Sequence, residues 1–271
     1  MSERATRTLT VNGHVMRVDA DDSIGLGRPG GYEAFETQVL AWVVTKGSTV
    51  IDAGANVGHY TLACARATGP GGRVLAFEPA PDTVGLLTEN VRANGYGNVT
   101  IAACALCDAM GQGTLFLSEE NQGDHRLFAA AEARTSVPVP TVTLDDYLGD
   151  CTGELSLIKL DVQGAEPRAL AGMRRTLAAH PEAWIATEFW PAGLAAAGVS
   201  ARQFLDQLRA LGGTLLRIDE RHRRLTPLDE AWLFETVTVA RANHTNLLIV
   251  PRGWRASGEW PIRPLAPPVS R

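Results

Sequence analysis

The sequence contains few cysteines and no pattern of them that would brace a secreted domain. Only four of its 271 residues are cysteine, whereas small secreted scaffolds carry far more for their length. Cys104 and Cys107 form one C-x-x-C pair, but a structural zinc site needs a second pair of ligands. Cys64 and Cys151 stand alone. We therefore expect buried, reduced thiols.

The sequence also lacks long apolar runs and an excess of positive charge. No run approaches the roughly 18 to 20 apolar residues that cross a bilayer, and the opening MSERATRTLTV contains no apolar core of a signal peptide. The net charge is −5 and the isoelectric point is near 5.7, whereas proteins that bind nucleic acids usually present a basic surface. These absences predict a cytoplasmic protein with no membrane or nucleic-acid partner.

Apolar segments of strand length alternate with helical segments through most of the chain. The strands are almost continuously apolar, as a sheet that is buried on both faces requires. The alternation predicts an α/β fold with a seven-stranded, mostly parallel sheet and helices on both faces. The seven predicted strands are residues 48–54, 72–79, 98–104, 155–162, 183–190, 214–219 and 245–251.

The two ends of the chain and one internal segment depart from this alternation. Asn12-Gly13 lies between alternating segments, so residues 1–30 are predicted to form an N-terminal β-hairpin extension. Residues 31–252 then form one domain, interrupted at about 110–150 by β segments and a polar loop of the kind that forms lids. Four of the last eleven residues are proline, so residues 253–271 are predicted to be an extended tail.

A glycine-rich turn follows the first predicted strand, in the segment VIDAGANVGHYTL at residues 50–62. Such a turn lets a ligand approach the backbone, and the helix behind it presents free N–H groups. The dinucleotide motif G-x-G-x-x-G would need three glycines where the chain has Gly54, Asn56 and His59. Glu78 ends the second strand, where a ribose diol needs a hydrogen-bond acceptor. The sequence therefore favours a nucleoside without a pyrophosphate.

Five motifs, taken in order, resemble the FkbM-type methyltransferases, which bind S-adenosylmethionine on the Rossmann-like sheet of class I methyltransferases. The motifs are VIDAGANVGHYTL, VLAFEPAPD, TVTLDDYL, LIKLDVQGAEPRALAG and TEFWP, and the resemblance covers about residues 30–250. The segment NQGDHRLF, at 121–128, is similar to a loop found in part of that family. The resemblance implies a Rossmann-like fold and a methyl-transfer reaction.

The resemblance also implies roles for the matching positions. Tyr32 and Glu33 would close over the cofactor, and Glu78 would accept hydrogen bonds from the ribose hydroxyls. Asp161 would lie beside the transferable methyl group. The methionine end would be held by Asp52, Gly54, Asn56 and Gly58. The adenine would be flanked by Pro79, Ala105, Leu106 and the residues up to Asp108.

Methyl transfer to a hydroxyl needs few catalytic groups, because the sulfonium is already electrophilic and the enzyme mainly aligns the acceptor and removes a proton. Asp161, Glu188 and His125 are the candidates for that proton transfer. Two of them have structural alternatives, since Asp161 can cap the following helix and His125 can be a solvated loop residue. Asp161 and Glu188 could also share a Mg²⁺ ion, which prefers oxygen ligands. Helix-start duty is predicted for Asp145, Asp146 and Glu166.

The leading hypothesis is an S-adenosylmethionine-dependent O-methyltransferase that acts on a hydroxyl of a small molecule, a sugar or a secondary metabolite. The acceptor class follows from the resemblance alone. Two alternatives are a catalytically silent nucleoside-binding protein and an NAD(P)-linked oxidoreductase, which the missing glycines disfavour. Homo-oligomers formed through the hairpin or the tail are conceivable.

A nucleic-acid methyltransferase is a further alternative. Methylation of base amino groups typically uses an [N/D]-P-P-[Y/F] turn after the fourth strand, where this chain reads DVQG at 161–164. The acidic composition also disfavours it. Five arginines that could form a basic patch are interpreted as a solvated face: Arg174, Arg175, Arg221, Arg223 and Arg224.

Overall fold

The computed structural model describes residues 5–129, 134–149 and 153–254. The strands are β1 Thr6–Val11, β2 His14–Asp19, β3 Thr49–Ala53, β4 Arg73–Phe77, β5 Val99–Ala102, β6 Ala105–Leu106, β7 Gly111–Phe116, β8 Ser136–Val142, β9 Leu155–Leu160, β10 Trp184–Phe189, β11 Thr214–Asp219, β12 Arg224–Pro227 and β13 Thr245–Val250. The helices are α1 Ala34–Val43, α2 His59–Thr68, α3 Pro81–Ala93, α4 Leu144–Leu148, α5 Glu166–Ala171, α6 Arg174–Ala179, α7 Pro191–Ala196, α8 Ala201–Ala210 and α9 Glu230–Thr236, with a 3₁₀ turn at Val239–Arg241.

An eight-stranded sheet forms the centre of the domain, in the order β12-β11-β13-β10-β9-β3-β4-β5. The five strands from β10 to β5 in that order pair in parallel, whereas β13 is antiparallel to both of its neighbours. The predicted α/β fold with a mostly parallel sheet is therefore confirmed. All seven predicted strands are present, and β12 is an eighth that pairs with β11 at the edge.

The buried strands explain the continuous apolar runs in the sequence. Every residue of β3 and β9 is buried. Neighbouring residues of a strand point to opposite faces, and Ile51 accordingly joins an apolar cluster with α5 and α8 while Val50 joins one with α1 and α2. Both faces of the sheet are thus covered by helices, as predicted.

Two helical segments differ from the prediction. The segment GAEPRALAGMRRTLAAH at residues 164–180 has the spacing of a single helix, but it is broken into α5 and α6. Gly172 lies at the break, and a Cβ atom there would stand 1.9 Å from the carbonyl oxygen of Cys107. Because another part of the backbone approaches so closely, only glycine can be accommodated where the chain turns between α5 and α6. Helix α7, which begins at Pro191 directly after β10, was not predicted.

The predicted N-terminal hairpin is present and packs on α3. Asn12 and Gly13 have φ values of 51° and 78°, which a two-residue hairpin turn requires. Strands β1 and β2 pair antiparallel across the turn. The side-chain amide of Asn90 accepts a hydrogen bond from the Arg17 backbone N–H at 2.6 Å and donates one to the Arg17 carbonyl at 2.9 Å. These two bonds tie the hairpin to the domain.

The segment between β5 and β9 forms a small three-stranded sheet in the order β6-β8-β7. Its long loop connects β7 to β8 and contains the polar sequence predicted as a lid. The predicted buried thiols are confirmed for Cys64, Cys104 and Cys107, which are free and buried, whereas Cys151 and the tail from residue 255 lie outside the described residues. Among the helices in the described ranges, none is long and apolar enough to span a membrane.

Candidate active site

A cavity of about 430 Å³ opens at the carboxyl ends of β3, β4, β9 and β10. In open α/β sheets ligands bind at this end of the strands. Most of the predicted site residues line it, namely Tyr32, Gly54, Asn56, Glu78, Pro79, Ala105, Leu106, His125, Asp161 and Glu188. The cavity wall does not include Glu33, Asp52 or Gly58.

The glycine loop between β3 and α2 is pressed against the loop that follows β9. Gly54 has a φ of +76°, and a Cβ atom there would lie 1.8 Å from the carbonyl oxygen of Asp161. Asn56 also adopts a left-handed conformation, with a φ of 50°. Gly58 has a φ of +99° and is the N-cap of α2, where a Cβ atom would lie 2.8 Å from Leu87. Gly54 and Gly58 therefore shape the loop through their backbone.

Glu78 is held by two backbone groups at the end of β4. Its Oε2 accepts a hydrogen bond from the Asn56 N–H at 2.9 Å, and its Oε1 accepts one from the Ala80 N–H at 2.8 Å. Burial raises the pKa of this carboxyl to about 7, although the two backbone N–H groups oppose that rise. The carboxylate is thus fixed in orientation, facing the cavity beside the glycine loop.

A buried lysine joins two acids at the floor of the cavity. Lys159, on β9, has its Nζ 3.4 Å from Asp161 Oδ2 and 3.7 Å from Asp52 Oδ1. Asp52 Oδ2 accepts a hydrogen bond from the Thr61 hydroxyl at 2.6 Å. Asp52 is thereby held behind the glycine loop, and Asp161 extends from the floor into the cavity.

The two residues of the predicted Tyr-Glu pair ahead of α1 have different positions, one in the cavity wall and one behind it. Tyr32 lines the cavity and packs edge-on against His59, with ring centroids 5.6 Å apart. Burial, followed by the charge of Glu33, raises the pKa of Tyr32. Glu33 accepts a hydrogen bond from the Tyr60 hydroxyl at 2.6 Å and one from the Asn246 amide at 3.3 Å. The Glu33 side chain therefore braces the cavity wall.

Gln163 bridges the two carboxylates that could have shared a metal ion. Its side-chain amide donates to Asp161 Oδ1 at 2.8 Å and to Glu188 Oε2 at 3.2 Å. Burial, followed by the charge of Asp161, raises the pKa of Glu188 well above its usual range. Among the residues that the structure describes, no group of three or more His, Cys, Asp or Glu side chains is arranged to hold a metal ion.

The helix-capping alternative for Asp161 is wrong, whereas the structural interpretation of its neighbours is confirmed. The N-cap of α5 is Ala165 and makes no side-chain cap, so Asp161 is available to the cavity. Glu166 Oε1 accepts from the backbone N–H groups of Val162 and Gly164 at 3.0 and 3.2 Å. Asp146 lies in the first turn of α4, where its side chain accepts a hydrogen bond from the hydroxyl of the N-cap residue Thr143 at 2.7 Å. The Asp145 side chain accepts from the backbone N–H groups of Arg175 and Thr176, in the first turn of α6, at 2.9 and 2.8 Å.

The predicted lid supplies a second wall of the cavity. The Nδ1 atom of His125 accepts a hydrogen bond from the Ser118 backbone N–H at 3.0 Å, so neutral His125 carries its proton on Nε2. Asp124 receives two hydrogen bonds from the Arg126 guanidinium, at 2.7 and 2.8 Å. That guanidinium also lies 4.7 Å from the ring centroid of Trp190, which follows β10. The loop is therefore attached to the sheet end at its tip.

Four cavity residues were not singled out from the sequence. Lys159 could have been identified from the sequence, because a charged residue within a largely apolar strand is unusual. Gln163, with a φ of 53°, was noticed only as part of a turn. Gln122 accepts from the Asn56 amide through its backbone carbonyl at 3.3 Å, and His244 Nδ1 lies 3.7 Å from Glu188 Oε1. Both of these contacts join residues far apart in the chain, so no local pattern could reveal them.

The strand order, the glycine loop after the first parallel strand and the acid after the second define a Rossmann-like fold of the class I methyltransferase type. The sequence model described as the Methyltransferase FkbM domain matches residues 52–212. The chain belongs to this family, as the motifs predicted.

Two curated relatives match less than half of the chain. Methyltransferase 1 of Beauveria bassiana is 30% identical over an alignment 146 residues long, gaps included, that covers 46% of this chain and 58% of that protein. Methyltransferase sdnD of Sordaria araneosa is 27% identical over an alignment 155 residues long, gaps included, that covers 46% of this chain and 60% of that protein. The match thus spans about three fifths of the length of these relatives.

Solved structures with a similar arrangement are distant in sequence. The SAM-dependent O-methyltransferase of Thermotoga maritima has a TM-score of 0.44 and 15% identity, over 92% of this chain and 86% of that one. Aeropyrum pernix fibrillarin, solved with natively bound S-adenosyl-L-methionine, has a TM-score of 0.47 and 12% identity, over 91% of this chain and 83% of that one. Similarity at this level says nothing about the substrate.

Proposed function

We propose that this chain is an S-adenosylmethionine-dependent O-methyltransferase that acts on a hydroxyl group of a small molecule, a sugar or a secondary metabolite. The observation that carries the proposal is the braced glycine loop. Gly54 leaves no room for a side chain against the Asp161 carbonyl, and Glu78 is fixed beside the loop by backbone N–H groups. A loop without a side chain at Gly54 lets a ligand approach the backbone, and the Glu78 carboxylate is an oriented hydrogen-bond acceptor for ribose hydroxyls. Together they suit a nucleoside without a pyrophosphate.

The residues around the cavity divide into two groups in this proposal. Glu78 accepts hydrogen bonds from the ribose hydroxyls, and Pro79, Ala105 and Leu106 flank the adenine. The methionine end is held by Tyr32, Gly54, Asn56 and Asp161, with Glu33, Asp52 and Gly58 supporting them from behind. The cofactor supplies a methyl group on a positively charged sulfur, which is electrophilic without further activation.

The chain then has to place the acceptor hydroxyl and take its proton. Asp161 and Glu188 offer carboxylate oxygens toward the cavity, and the Gln163 amide fixes both of them. His125 serves as a hydrogen-bond donor that orients the acceptor, because its Nδ1 lone pair is already used. With the Gln163 amide between Asp161 and Glu188, the proposal includes no Mg²⁺ ion.

A small-molecule acceptor, rather than a nucleic acid, is part of the proposal. Two arginines of the basic set are already paired with acids, since Arg175 contacts Asp146 at 3.2 Å and Arg224 contacts Asp219 at 3.3 Å. Such pairs reduce the positive charge that the phosphate backbone would need to meet.

Calorimetric titration with S-adenosylmethionine, S-adenosylhomocysteine and NAD⁺ tests the cofactor. We expect saturable binding of the two sulfur nucleosides by the unaltered protein, and its loss in Gly54→Val and in Glu78→Ala. NAD⁺ binding without sulfur-nucleoside binding would support the oxidoreductase alternative. Transfer of a radiolabelled methyl group to a panel of sugars and hydroxylated metabolites then separates an enzyme from a silent nucleoside-binding protein.

A further inference from the structure

Lys159 is a buried cation at the floor of the cavity. It is one of only two lysines in the chain, the other being Lys46, and it is 4% exposed. Its Nζ lies 4.6 Å from the ring centroid of Tyr60, in addition to its contacts with Asp161 and Asp52. Tyr60 in turn donates its hydroxyl hydrogen to Glu33. One ammonium group therefore contacts strand β3, the loop after β9 and helix α2, which carries Tyr60.

The polar atoms around Lys159 are incompletely paired. Within the described part of the chain, Asp161 is the one acceptor at hydrogen-bond distance from the ammonium, at 3.4 Å. Oδ1 of Asp52 is buried and has no hydrogen-bond partner among those residues. Buried polar atoms are almost always paired, and exceptions often mark sites where a ligand or a charge change occurs. Asp52 itself lies behind the glycine loop, so Asp161, which lines the cavity, is the acid of this cluster that a ligand can reach.

The charges around Lys159 favour its protonated form. Burial lowers the pKa of its ammonium, but the charges of Asp161, Asp52, Glu36 and Glu33 outweigh burial and raise it. The same ammonium keeps the acids from repelling one another at close range. Without it, Asp161 and Asp52 would lose their shared counter-charge.

The strand order separates this cluster from the nucleoside end of the site. Lys159 lies on β9 and Glu78 follows β4, and β3 runs between those two strands. Adjacent strands are about 4.8 Å apart, so the two groups belong to strands about 10 Å apart. A change at Lys159 should therefore affect one end of an elongated ligand and spare the other.

We infer that Lys159 is the positioning residue for the amino-acid arm of the cofactor. Its ammonium holds the carboxylates of Asp161 and Asp52 in the orientation in which Asp161 accepts hydrogen bonds from the α-amino group. Tyr60 and Glu33 form the rest of this floor. The inference rests on the proposed function, because it assumes a sulfur nucleoside in the cavity.

Two ligands that differ only in the amino-acid arm test the inference. S-adenosylhomocysteine carries that arm, and 5′-methylthioadenosine has a methyl group in its place. Both are titrated calorimetrically into the full chain and into Lys159→Met, which keeps the length of the side chain without its charge. We expect Lys159→Met to weaken S-adenosylhomocysteine by at least about tenfold and 5′-methylthioadenosine by less than about twofold, because a hydrogen bond to a charged group is typically worth at least that factor. Lys46→Met is the matched control, since Lys46 is exposed, and should change neither affinity.

The outcomes separate the inference from the proposed function. Equal loss of both ligands would show a merely structural role and overturn the inference, and so would unchanged binding of S-adenosylhomocysteine. If the unaltered protein binds neither ligand, the proposed function itself fails. If Lys159→Met does not fold, the double variant Lys159→Met with Asp52→Asn removes both members of one charge pair. That variant should retain 5′-methylthioadenosine and lose S-adenosylhomocysteine, and full affinity for both would overturn the inference.

Discussion

The two walls of the cavity are built in different ways. The wall assigned to the cofactor consists of residues at the carboxyl ends of β3, β4 and β9, and neighbouring strands hold it by backbone contacts, such as the Asp161 N–H that donates to the Ala53 carbonyl at 3.1 Å. The wall assigned to the acceptor consists of the loop between β7 and β8 and of residues near His244 ahead of β13. Backbone hydrogen bonds between Phe116 and Arg126 close this loop locally, but side-chain contacts, such as those of Asn56 with Gln122 and of Arg126 with Trp190, attach it to the sheet end.

The difference predicts that the first wall tolerates less change in sequence than the second. A strand end in a parallel sheet has few conformations, because the neighbouring strands hold its backbone on both sides. A loop attached by side chains can change its sequence without disturbing the sheet. The cofactor wall is therefore expected to be rigid before any ligand binds, and the acceptor wall is expected to determine the substrate.

Replacement of Gly54 by alanine should have the largest effect on the cofactor wall. The new Cβ would lie 1.8 Å from the Asp161 carbonyl oxygen, so the loops after β3 and β9 must separate. Bringing the two loops together against this clash costs about 1 to 3 kcal/mol, so we expect S-adenosylhomocysteine affinity to fall by up to about 100-fold in a calorimetric titration.

Gly47→Ala is the control for this substitution. Gly47 has a φ of +82°, but a Cβ atom there would meet nothing within 4 Å. The Gly47→Ala variant has the same kind of backbone strain without a clash. Its affinity for S-adenosylhomocysteine should therefore stay within about twofold of that of the unaltered protein. Equal losses in the two variants would mean that backbone strain, and not the contact between the two loops, governs binding.

Glu78 should make binding depend on pH. Its pKa is raised to about 7 by burial, and the ribose hydroxyls need the ionised carboxylate as acceptor. The ionised fraction falls as the pH drops through 7, so affinity for S-adenosylhomocysteine should decrease below about pH 7, by about tenfold in all, and level off above it. Calorimetric titrations between pH 5.5 and 8.5 measure this slope.

Glu78→Gln should weaken binding by about tenfold at pH 8 and remove this part of the pH dependence. Other acids near the cavity remain in the variant, including Glu166 behind the loop after β9, whose pKa is also raised to about 7 by burial. Their titration accounts for the pH dependence of the affinity that remains in Glu78→Gln. An identical slope with and without Glu78 would contradict its assigned role.

Asn56 links the two walls, and its removal should have a moderate effect. Its amide donates to the Gln122 carbonyl at 3.3 Å, and its φ of 50° is one that glycine adopts without strain. Asn56→Gly also removes the hydrogen bond that Asn56 Oδ1 accepts from the Val57 N–H at 2.7 Å. It should weaken binding of S-adenosylhomocysteine by about threefold and speed amide hydrogen exchange in residues 118–129 by a similar factor, because the hydrogen bond to Gln122 is lost. Complete loss of binding would mean that the side chain contacts the cofactor directly.

His125 should have the smallest effect on the cofactor. An asparagine at this position can accept the Ser118 N–H as the imidazole Nδ1 does. We expect His125→Asn to leave S-adenosylhomocysteine affinity within about twofold, since the residue belongs to the acceptor wall. A tenfold loss in the same titration would show that the two walls are not separate.

The sequence predicted most of the cofactor wall, because its signals are local. Apolar strands, positive-φ positions such as Gly54 and Gly58, and an acid after the second strand are each visible within a few residues. The same reasoning identified the hairpin turn at Asn12 and Gly13, whose φ values are positive.

The parts that escaped prediction depend on distant partners. Strand β12 has the polar sequence RLTP and pairs only because the chain turns back at Arg223, with a φ of 49°. The break at Gly172 follows from the Cys107 carbonyl, which is 65 residues away in the sequence. Contacts of this kind are set by tertiary packing, which a single sequence does not display.

Hydrogen–deuterium exchange of the full chain, with and without S-adenosylhomocysteine and without any acceptor, tests most directly where the cofactor binds. The account predicts that the ligand slows exchange most strongly in residues 52–58, 78–80 and 161–164, at the ends of β3, β4 and β9. Protection elsewhere, with unchanged exchange in residues 52–58, would contradict the assignment of this wall to the cofactor.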